Sequence, residues 1–396
     1  MENTHHLQSS EAEVLSIIIN KYKITFNVIY TEEFDDDLRE NIIVVFNGFV
    51  NLVILQQISS SEIPIEFAQF THLKTLIIRN MPITFIPEDF FSLPITRLEI
   101  DYGNLTGSIP PSISKWSHLK VLNLHGNQLN TLPDELFDCS ELEYLSLWGN
   151  VITHIPEKIS QLKHLKYLHV GLNSLFDLPV ALGSLSELQT FICSKNYIKK
   201  LPEELSNLYS LVELYIEENE IEELPIDIGN LQKLQVIYSF RNKIINLPES
   251  FDRLTNLKIL YIHQNNLKEF PDEILKLHNL EELDISYCSL RVIPDKIGSL
   301  IYLKKLWIDN NRLIQLPHTI CNLKYLEGLN ISDNPLIGLP DCLNKLTYLK
   351  TLSMFYTIKD YIPMLDSLSE KGVIVEQNCD EQDDIDFDNE EEFEEF

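Results

Sequence analysis

The histidines and cysteines of this chain are the side chains whose types could bind a metal ion or perform covalent catalysis. The 396 residues include 11 histidines, and the 6 cysteines stand far apart without a CxxC pair, at Cys139, Cys193, Cys288, Cys321, Cys342 and Cys379. A zinc site needs three or four ligands that converge on one point. The sequence also lacks glycine-rich phosphate loops and the HExxH and GxSxG motifs. We therefore predict no metal site, no cofactor and no enzymatic activity.

The charge of the chain limits the classes of partner. Sixty Asp and Glu residues stand against 31 Lys and Arg residues, which gives a formal net charge of −29. Nucleic acids and anionic membranes are bound by clustered basic residues, so we expect neither as a partner. The apolar runs at residues 14–19 and 42–46 are too short to span a bilayer, and the N-terminus does not resemble a secretory signal. Because scattered cysteines fit a reducing compartment, we predict a soluble cytoplasmic protein with reduced thiols.

One 23-residue interval organises most of the chain. Leucines recur at this interval from Leu119 to Leu349, and prolines recur in the same register from Pro133 to Pro363. Three less regular units precede them and begin at Val50, Leu73 and Ile95. Fourteen units result, and 14 of the 18 prolines occupy the same place in them. Such periodicity predicts one stack of similar structural units instead of several compact domains.

Each unit reads L-x-x-L-x-L-x-x-N-x-L-x-x-L-P-x-x-L/I-x-x-L-x-x, and we number its places from the first leucine. The alternating L-x-L predicts a short strand with one buried face. Proline at place fifteen ends the extended segment and favours a helical first turn, from which residues such as Ile159 and Leu162 point inward. Ser239 replaces an aliphatic residue at place six, so we expect its strand to pack less well. A strand and a helical turn per unit predict a parallel sheet backed by short turns.

A column of asparagines occupies place nine. The hydrogen bonds of turn backbone inside a solenoid must be satisfied, and a buried Asn can both donate and accept. A ligand-binding column is the competing interpretation, but we favour a structural ladder, made of Asn127, Asn150, Asn173, Asn196, Asn219, Asn242, Asn265, Asn311 and Asn334, with Cys288 at the equivalent place of one unit.

From residue 50 to about residue 363, this pattern resembles the leucine-rich repeat family. The 23-residue length with L-P at places fourteen and fifteen is similar to the cytoplasmic subclass, which includes Ras suppressor proteins, plant intracellular Ras-group-related repeat proteins and LAP scaffold proteins. One segment, residues 104–113, departs from it and resembles the L-x-G-x-I-P variant of plant receptors. The resemblance implies an α/β fold, a leucine-rich repeat solenoid shaped as a curved horseshoe. Its parallel β-sheet would line the concave face, and short helices or 3₁₀ turns the convex face.

The segments outside the repeats are expected to act as caps and a tail. Residues 1–48 form the predicted N-terminal cap, with a capping box at Ser10 and Glu13 opening a helix over residues 11–20 and a strand over residues 23–30. The repeats then occupy residues 49–363. Residues 364–375 are the predicted C-terminal cap, with a last strand at 373–375. Residues 376–396 carry 12 acids and no base, so we expect a disordered tail.

The side chains that point outward from each strand, at places two, three, five, seven and eight, are the candidates for partner binding. They carry nearly equal numbers of acids and bases, which predicts a concave face of mixed charge. Two histidines there, His125 and His169, lie two repeats apart, about 10 Å at the strand spacing, which is too far to share a metal. The predicted partner-binding residues on the concave face are Trp148, Tyr215, Tyr238, Phe240, Arg241, Tyr261, His263 and Trp307.

Two interpretations of these aromatic residues remain open. Aromatic anchors beside charged residues have the composition of a protein-binding hot spot, whereas rings on adjacent strands can also stack and stabilise the sheet without any ligand. For Trp307, whose neighbour at place five is Asp284, we favour binding. We predict a non-catalytic scaffold or adaptor in intracellular signalling, and the resemblance implies a small GTPase as one partner. The alternatives are a carbohydrate-binding or structural repeat protein, or a regulatory or effector subunit of an enzyme complex.

Overall fold

The fold is a single curved sheet backed by short turns. The structure is a computed structural model, and it describes residues 7–31, 40–357 and 363–377. The predicted disorder of the acidic tail concerns residues that lie, from 378 onward, outside this description. In the described part of the chain, the helices are α1 (Ser9–Tyr22) and α2 (Pro363–Glu370). The strands are β1 (Asn27–Tyr30), β2 (Ile42–Phe46), β3 (Phe49–Gln56), β4 (Thr75–Arg79), β5 (Arg97–Asp101), β6 (Thr106–Ser108), β7 (Val121–Asn123), β8 (Gln128–Thr131), β9 (Tyr144–Ser146), β10 (Tyr167–His169), β11 (Thr190–Ile192), β12 (Glu213–Tyr215), β13 (Val236–Tyr238), β14 (Ile259–Tyr261), β15 (Glu282–Asp284), β16 (Lys305–Trp307), β17 (Gly328–Asn330), β18 (Thr351–Ser353) and β19 (Ile374–Glu376).

Seventeen of the described strands form one sheet, in which the strands are arranged in the order of the chain. All neighbouring pairs are parallel except β2 and β3, which form an antiparallel hairpin. β6 and β8 pair separately in a two-stranded sheet. In the repeat strands the same place pairs with the same place, so that Tyr215 pairs with Tyr238 and Tyr238 with Tyr261. This register aligns equivalent side chains into columns across the concave face.

Among the described residues, the convex side consists of thirteen 3₁₀ turns, each of which follows a repeat proline. In every one the N–H three residues after the proline donates to the proline carbonyl, as Phe251 does to Pro248 at 2.9 Å. The fourteenth proline, Pro363, begins α2 instead. The predicted horseshoe with its parallel concave sheet and convex 3₁₀ turns is confirmed. The turns are Ile65–Gln69, Glu88–Ser92, Pro111–Lys115, Asp134–Asp138, Glu157–Gln161, Val180–Ser184, Glu203–Asn207, Ile228–Asn230, Glu249–Arg253, Asp272–Lys276, Asp295–Ser299, His318–Asn322 and Asp341–Lys345.

The repeat leucines and isoleucines form one hydrophobic cluster that runs from Val14 in α1 to Val373 before β19. Ile159 and Leu162 are buried in it, as the pattern predicted. Ser239 is also fully buried, and its hydroxyl donates to the Tyr261 carbonyl at 3.4 Å. Its strand, β13, keeps full register with both neighbours, so the polar substitution leaves the pairing intact.

Place eight of every unit adopts the left-handed backbone conformation, which the sequence did not reveal. Only two of the residues at this place are glycines, Gly126 and Gly149, although residues other than glycine rarely adopt this conformation. The N–H of the residue at this place donates to the place-seven carbonyl of the next unit, as Leu172 does to Ser194 at 2.9 Å. The turn therefore connects adjacent units along the rim of the sheet. With φ between 48° and 65°, the residues are Gln57, Asn80, Tyr102, Gly126, Gly149, Leu172, Lys195, Glu218, Arg241, Gln264, Tyr287, Asn310, Asp333 and Tyr356.

The N-terminal region differs from the sequence prediction in three ways, the first being that the strand predicted over residues 23–30 begins at Asn27, because Lys23 caps α1 in the left-handed conformation. α1 begins at Ser9 after Gln8, whose side chain makes no capping hydrogen bond, so the predicted capping box at Ser10 and Glu13 is wrong. The buried carboxylate of α1 is that of Glu11, which accepts a 2.6 Å hydrogen bond from the Val50 N–H and connects the helix to β3. The hairpin of β2 and β3 spans residues 42–56, across the predicted boundary at residue 48.

Two cysteines of the last repeats are joined, contrary to the expectation of reduced thiols. Cys321 and Cys342 lie in successive 3₁₀ turns and form a disulfide with their Cα atoms 5.9 Å apart. Cys139, Cys193 and Cys288 are buried free thiols. The pairing escaped the sequence interpretation because the two cysteines are 21 residues apart in the chain, and only the stacking of units brings them together.

Candidate functional site

We call the eight predicted partner-binding residues the concave aromatic surface: Trp148, Tyr215, Tyr238, Phe240, Arg241, Tyr261, His263 and Trp307. Seven of them are half-buried on the outward side of the sheet, where a partner can reach them. Arg241 is exposed on the rim at place eight, where its guanidinium lies 3.6 Å from the Glu218 carboxylate and donates to Gln264 at 2.7 Å. Strand pairing holds Tyr215, Tyr238, Tyr261 and Trp307 at fixed spacing. Trp148, Phe240 and His263 stand two residues after the ends of their strands.

The central rings pack against one another. Tyr238 and Tyr261 stack with centroids 4.6 Å apart and an interplanar angle of 11°, and Tyr215 meets Tyr238 edge-on at 5.0 Å. Phe240 stacks on His263 at 4.4 Å in the adjacent column. The lateral stacking considered from the sequence therefore occurs, and it holds the rings rigidly while leaving each partly exposed.

Trp307 also belongs to this cluster, which corrects the sequence argument about its isolation. The Trp307 ring meets the Tyr261 ring edge-on at 5.7 Å, although Asp284 stands between them in the column. Aromatic side chains are long enough to reach the second neighbouring strand past a short aspartate. The Lys305 ammonium lies 5.7 Å from the centroid of the Trp307 ring, within cation–π range.

Trp148 lies apart from the central rings, in a second aromatic cluster nearer the N-terminus. Its ring centroid is 5.9 Å from that of His125 and 6.3 Å from that of His169, so it stands between the two histidines. Tyr102, at place eight of an earlier unit, contacts both His125 and Trp148. The sequence analysis missed Tyr102 because the left-handed turn that presents it was not recognised. The eight residues thus form two groups.

The charges on the outward face are nearly balanced in number, as predicted, but unevenly placed. In the five units that begin at Leu211 to Leu303, places three, five and seven hold one base, Lys305, and five acids, Glu213, Glu217, Glu282, Asp284 and Asp309. Several of the lysines that offset these acids in the overall count stand at place two. There they pair with glutamates at place two of adjacent units, as Lys304 does with Glu281 at 2.5 Å. The middle of the concave face is therefore acidic.

Burial perturbs several of these groups. It raises the pKa of Glu217 to about 7, with a smaller rise from the nearby Glu218 carboxylate. It also raises the pKa of the Asp284 and Asp309 carboxyls above their ordinary value. In the opposite sense, burial lowers the pKa of His169 and of His263 to about 4, so both imidazoles are neutral at pH 7.

The nine place-nine asparagines share one pattern of hydrogen bonds. Asn242 is typical: its amide donates to the carbonyls of Ile216, Ser239 and Phe240 at 2.9–3.3 Å and accepts from the Ile221 N–H at 2.9 Å. Each amide thereby connects its own loop to the preceding unit. Where Cys288 replaces asparagine, its thiol reaches the Ile262 carbonyl at 3.6 Å. The equivalent Oδ1 contacts join Asn127 to Leu105, Asn150 to Leu129, Asn173 to Ile152, Asn196 to Leu175, Asn219 to Ile198, Asn265 to Ile244, Asn311 to Leu290 and Asn334 to Leu313.

The described residues contain no group of three or more His, Cys, Asp or Glu side chains able to hold a metal ion. Within the same residues, no helix is long and apolar enough to cross a membrane. Of the histidine–carboxylate pairs on the concave face, one is His125 and Asp101, whose Nδ1 and Oδ1 atoms lie 3.4 Å apart. A catalytic triad needs a nucleophile next to the histidine. The contacts of His125 include Asn123 Oδ1, 3.1 Å from its Nδ1, and the rings of Tyr102 and Trp148.

A second row of exposed rings, also missed from the sequence, lies on the flank where the strands begin. Tyr302, Tyr325 and Tyr348 stand at place twenty-three of successive units, each about half exposed. Their centroids are 6.1 and 5.7 Å apart. Among the described residues, no ring contact joins this flank row to the concave aromatic surface, so the row offers a matched control for it.

Comparisons with known proteins agree on the repeat. Residues 98–214 and 203–292 match the family described as a leucine-rich repeat region, and residues 302–323 match the leucine-rich repeat. Together these matches cover more than half of the chain. Among curated proteins, none matches the sequence significantly.

Solved structures with the same fold come from bacteria and plants. A leucine-rich repeat protein of Leptospira interrogans is 25% identical with a TM-score of 0.71, and the match covers 82% of this chain and 89% of that one. An internalin of Listeria monocytogenes is 21% identical over 76% of this chain and 86% of its own, with a TM-score of 0.68. The ectodomain of the Arabidopsis thaliana receptor kinase GASSHO1/SCHENGEN3, solved in complex with Casparian strip integrity factor 2, is 22% identical with a TM-score of 0.70. That match covers 92% of this chain and 50% of the ectodomain.

Proposed function

The chain belongs to the leucine-rich repeat family, and from this premise we propose that it is a non-catalytic scaffold or adaptor that binds a protein partner on its concave face. The observation that carries the proposal is the concave aromatic surface, where half-buried rings from successive strands are held in place and left partly open. Rigid aromatic anchors with a nearby arginine are typical of binding hot spots. Stacked rings lose little conformational entropy on binding because their neighbours already fix them.

A protein partner fits this surface better than a sugar. Carbohydrate recognition by stacking would need open ring faces, but Tyr238 and Tyr261 lie face to face, as do Phe240 and His263. The ring edges and hydroxyl groups that remain open suit the side chains of a polypeptide. The receptor ectodomain described above, solved with its factor, supports a binding role by analogy of fold alone.

The resemblance to the cytoplasmic subclass extends the proposal to intracellular signalling, with a small GTPase among the first partners to test. One observation argues against a cytoplasmic location. The Cys321–Cys342 disulfide is typical of oxidising compartments. Alkylation of free thiols in intact cells distinguishes the two locations. In a cytoplasmic protein both Cys321 and Cys342 would be modified, whereas in a protein of an oxidising compartment neither would be.

The test is affinity purification from native extract with paired variants. We expect Tyr238→Ala combined with Trp307→Ala to lose the partners that the unchanged protein captures. The matched control is Tyr302→Ala combined with Tyr325→Ala, which removes two stacked, half-exposed rings from the flank row. Circular dichroism and thermal unfolding confirm that both variants fold. Recovery of the same partners with the concave variant, or equal loss with both, would overturn the proposal.

A further inference from the structure

The middle of the concave face combines open rings with negative charge. Of the five acids at places three, five and seven of the units from Leu211 to Leu303, Glu282 pairs with Lys305 at 2.9 Å. Among the residues that the structure describes, no Lys or Arg nitrogen lies within 4.0 Å of Glu213, Glu217, Asp284 or Asp309. The face therefore carries negative charge that the protein itself does not neutralise.

The partners of these carboxylates are neutral groups. Asp284 accepts hydrogen bonds from the Ser286 N–H and hydroxyl at 3.0 and 2.7 Å. Asp309 accepts from the Asn310 and Asn330 amides at 3.1 and 2.9 Å. Glu217 has a buried Oε2 without any hydrogen-bond partner. His263 lies 3.8 Å from Asp284, but burial keeps its pKa at about 4 and its ring neutral.

Burying these carboxylates without a cation is unfavourable in free energy. A carboxylate removed from water without a cation loses solvation and gains little in return, which is why burial raises the pKa of Glu217, Asp284 and Asp309. A cation from outside would restore the missing interaction. The Trp307 ring, which meets Tyr261 edge-on and not face to face, offers further attraction to the same cation through its π face.

We propose that the occupant of the concave aromatic surface is an extended protein segment that carries Lys or Arg side chains. This inference rests on the proposed function and specifies the chemistry of the partner. Glu217 and Asp309 both stand at place seven and are four strands apart, about 19 Å at the usual strand spacing. An extended segment covers that distance in about six residues, so two basic side chains six residues apart reach both carboxylates. Acidic segments and sugars lack this complementarity.

The test uses the full chain and two fluorescein-labelled nine-residue peptides of Gly, Ser and Tyr. One carries two arginines six residues apart, and the other carries two glutamates at the same positions. Fluorescence anisotropy measures each dissociation constant at about pH 7.5 and about 150 mM salt, which is close to physiological ionic strength. We expect saturable binding of the arginine peptide, with a dissociation constant at least about ten-fold lower than that of the glutamate peptide, and weaker binding as salt increases.

A matched pair of triple variants locates the binding. Glu217→Gln with Asp284→Asn and Asp309→Asn removes the concave charges, and we expect the dissociation constant of the arginine peptide to rise about ten-fold. Glu249→Gln with Asp272→Asn and Asp295→Asn makes the same charge change at exposed positions of the convex 3₁₀ turns, and we expect less than about a two-fold rise.

Three outcomes would overturn the inference: absence of arginine-peptide binding, equal binding of the glutamate peptide, or an equal effect of the two triple variants, which would indicate non-specific attraction to the acidic chain. Circular dichroism shows whether each variant is folded, and a folded single variant, Glu217→Gln, replaces the triple if the triple is not. These failures remain distinguishable from failure of the proposed function. Partner capture that depends on Tyr238 and Trp307 but not on the three carboxylates would leave the scaffold proposal in place and reject the basic segment.

Discussion

The asparagine at place nine connects the backbone of one unit to the next. In Asn242 the amide makes four contacts at once, three as donor and one as acceptor. The Asn carboxamide combines two N–H donors with a carbonyl acceptor on a short side chain. Its removal would leave the buried Ile221 N–H without a partner, and an unpaired buried group of this kind is costly. The three carbonyls would each lose one donor and keep another, from Asn219, Asn265 or the Glu218 N–H.

We predict that Asn242→Ala lowers the free energy of unfolding by about 2–4 kcal/mol. Urea unfolding followed by circular dichroism measures the change. Asn207→Ala is the control, because Asn207 is an exposed residue in a convex 3₁₀ turn, and we expect it to change the stability by less than about 0.5 kcal/mol. Equal effects of the two substitutions would show that the ladder does not stabilise the solenoid.

Glu217 should make stability fall as pH rises. Its ordinary pKa of 4.5 applies to the unfolded chain, whereas burial raises the pKa to about 7 in the folded protein. Between these values the folded state binds more protons than the unfolded state, so stability decreases with increasing pH. Relative to the unchanged protein, Glu217→Gln should therefore be more stable at pH 8 than at pH 4.5, by about 1–3 kcal/mol.

Paired thermal unfolding curves at the two pH values measure this difference. Glu249→Gln, which changes an exposed glutamate of the convex side, is the matched control. A Glu217→Gln effect of the same size at pH 4.5 and pH 8 would mean that the carboxyl titrates normally in the folded protein.

At this scale the sequence predicted some residues and missed others for a physical reason. Buried asparagines recur at a fixed place and can be read from the pattern, whereas the left-handed turn at place eight cannot. There the residue type varies from Gly126 to Leu172 and Arg241, because hydrogen bonds to the next unit impose the conformation. Because the turn could not be predicted, the position of the Tyr102 ring beside Trp148 could not be predicted either.

At the scale of the elements, two successive 3₁₀ turns leave no room for a side chain between their backbones. At Gly229, between Asp227 and Asn230, an added Cβ would overlap the carbonyl oxygen of Ser250 in the next turn. Backbone atoms of a neighbouring unit cannot move aside as a flexible side chain would. This glycine therefore sets the distance between two successive turns.

We predict that Gly229→Ala destabilises the protein by more than about 2 kcal/mol. Gly338→Ala is the control, since nothing lies within 4 Å of a Cβ there and its φ is not positive, and it should be neutral or slightly stabilising. Thermal unfolding of both variants provides the measurement, and a loss of stability with Gly338→Ala but not with Gly229→Ala would contradict the packing described.

The repeat elements could be predicted from the sequence because each strand and turn recurs many times. The N-terminal elements occur once, so no period identifies them. There, Glu11 bonds to Val50 across 39 residues, and the hairpin of β2 and β3 depends on pairing with β4. Contacts of this kind appear only after the chain has folded.

Over the whole molecule, two properties change their meaning once the units are stacked. The net charge of −29 is uneven: lysines pair along place two, while unpaired carboxylates collect in the middle of the concave face. The cysteines, scattered in sequence, include a pair that joins two successive turns near the C-terminal end. Neither arrangement follows from composition alone.

We predict that reduction of the Cys321–Cys342 disulfide lowers stability by about 3 kcal/mol, because the bond closes a loop of about twenty residues. Thermal unfolding with and without a phosphine reductant measures the effect. The variant Cys321→Ser with Cys342→Ser should resemble the reduced protein and respond to the reductant no further. A midpoint of the unchanged protein that does not move on reduction would contradict a bond in solution.

The central claim is that a partner occupies the concave face, and site-specific photo-crosslinking tests it most directly. The photoreactive residue p-benzoylphenylalanine replaces either Val236, half-buried at place three beside Tyr238, or Val180, an exposed valine of a convex turn. After irradiation in native extract, we predict a discrete crosslinked protein from position 236 and none from position 180. A discrete product from position 180, with none from position 236, would contradict binding on the concave face.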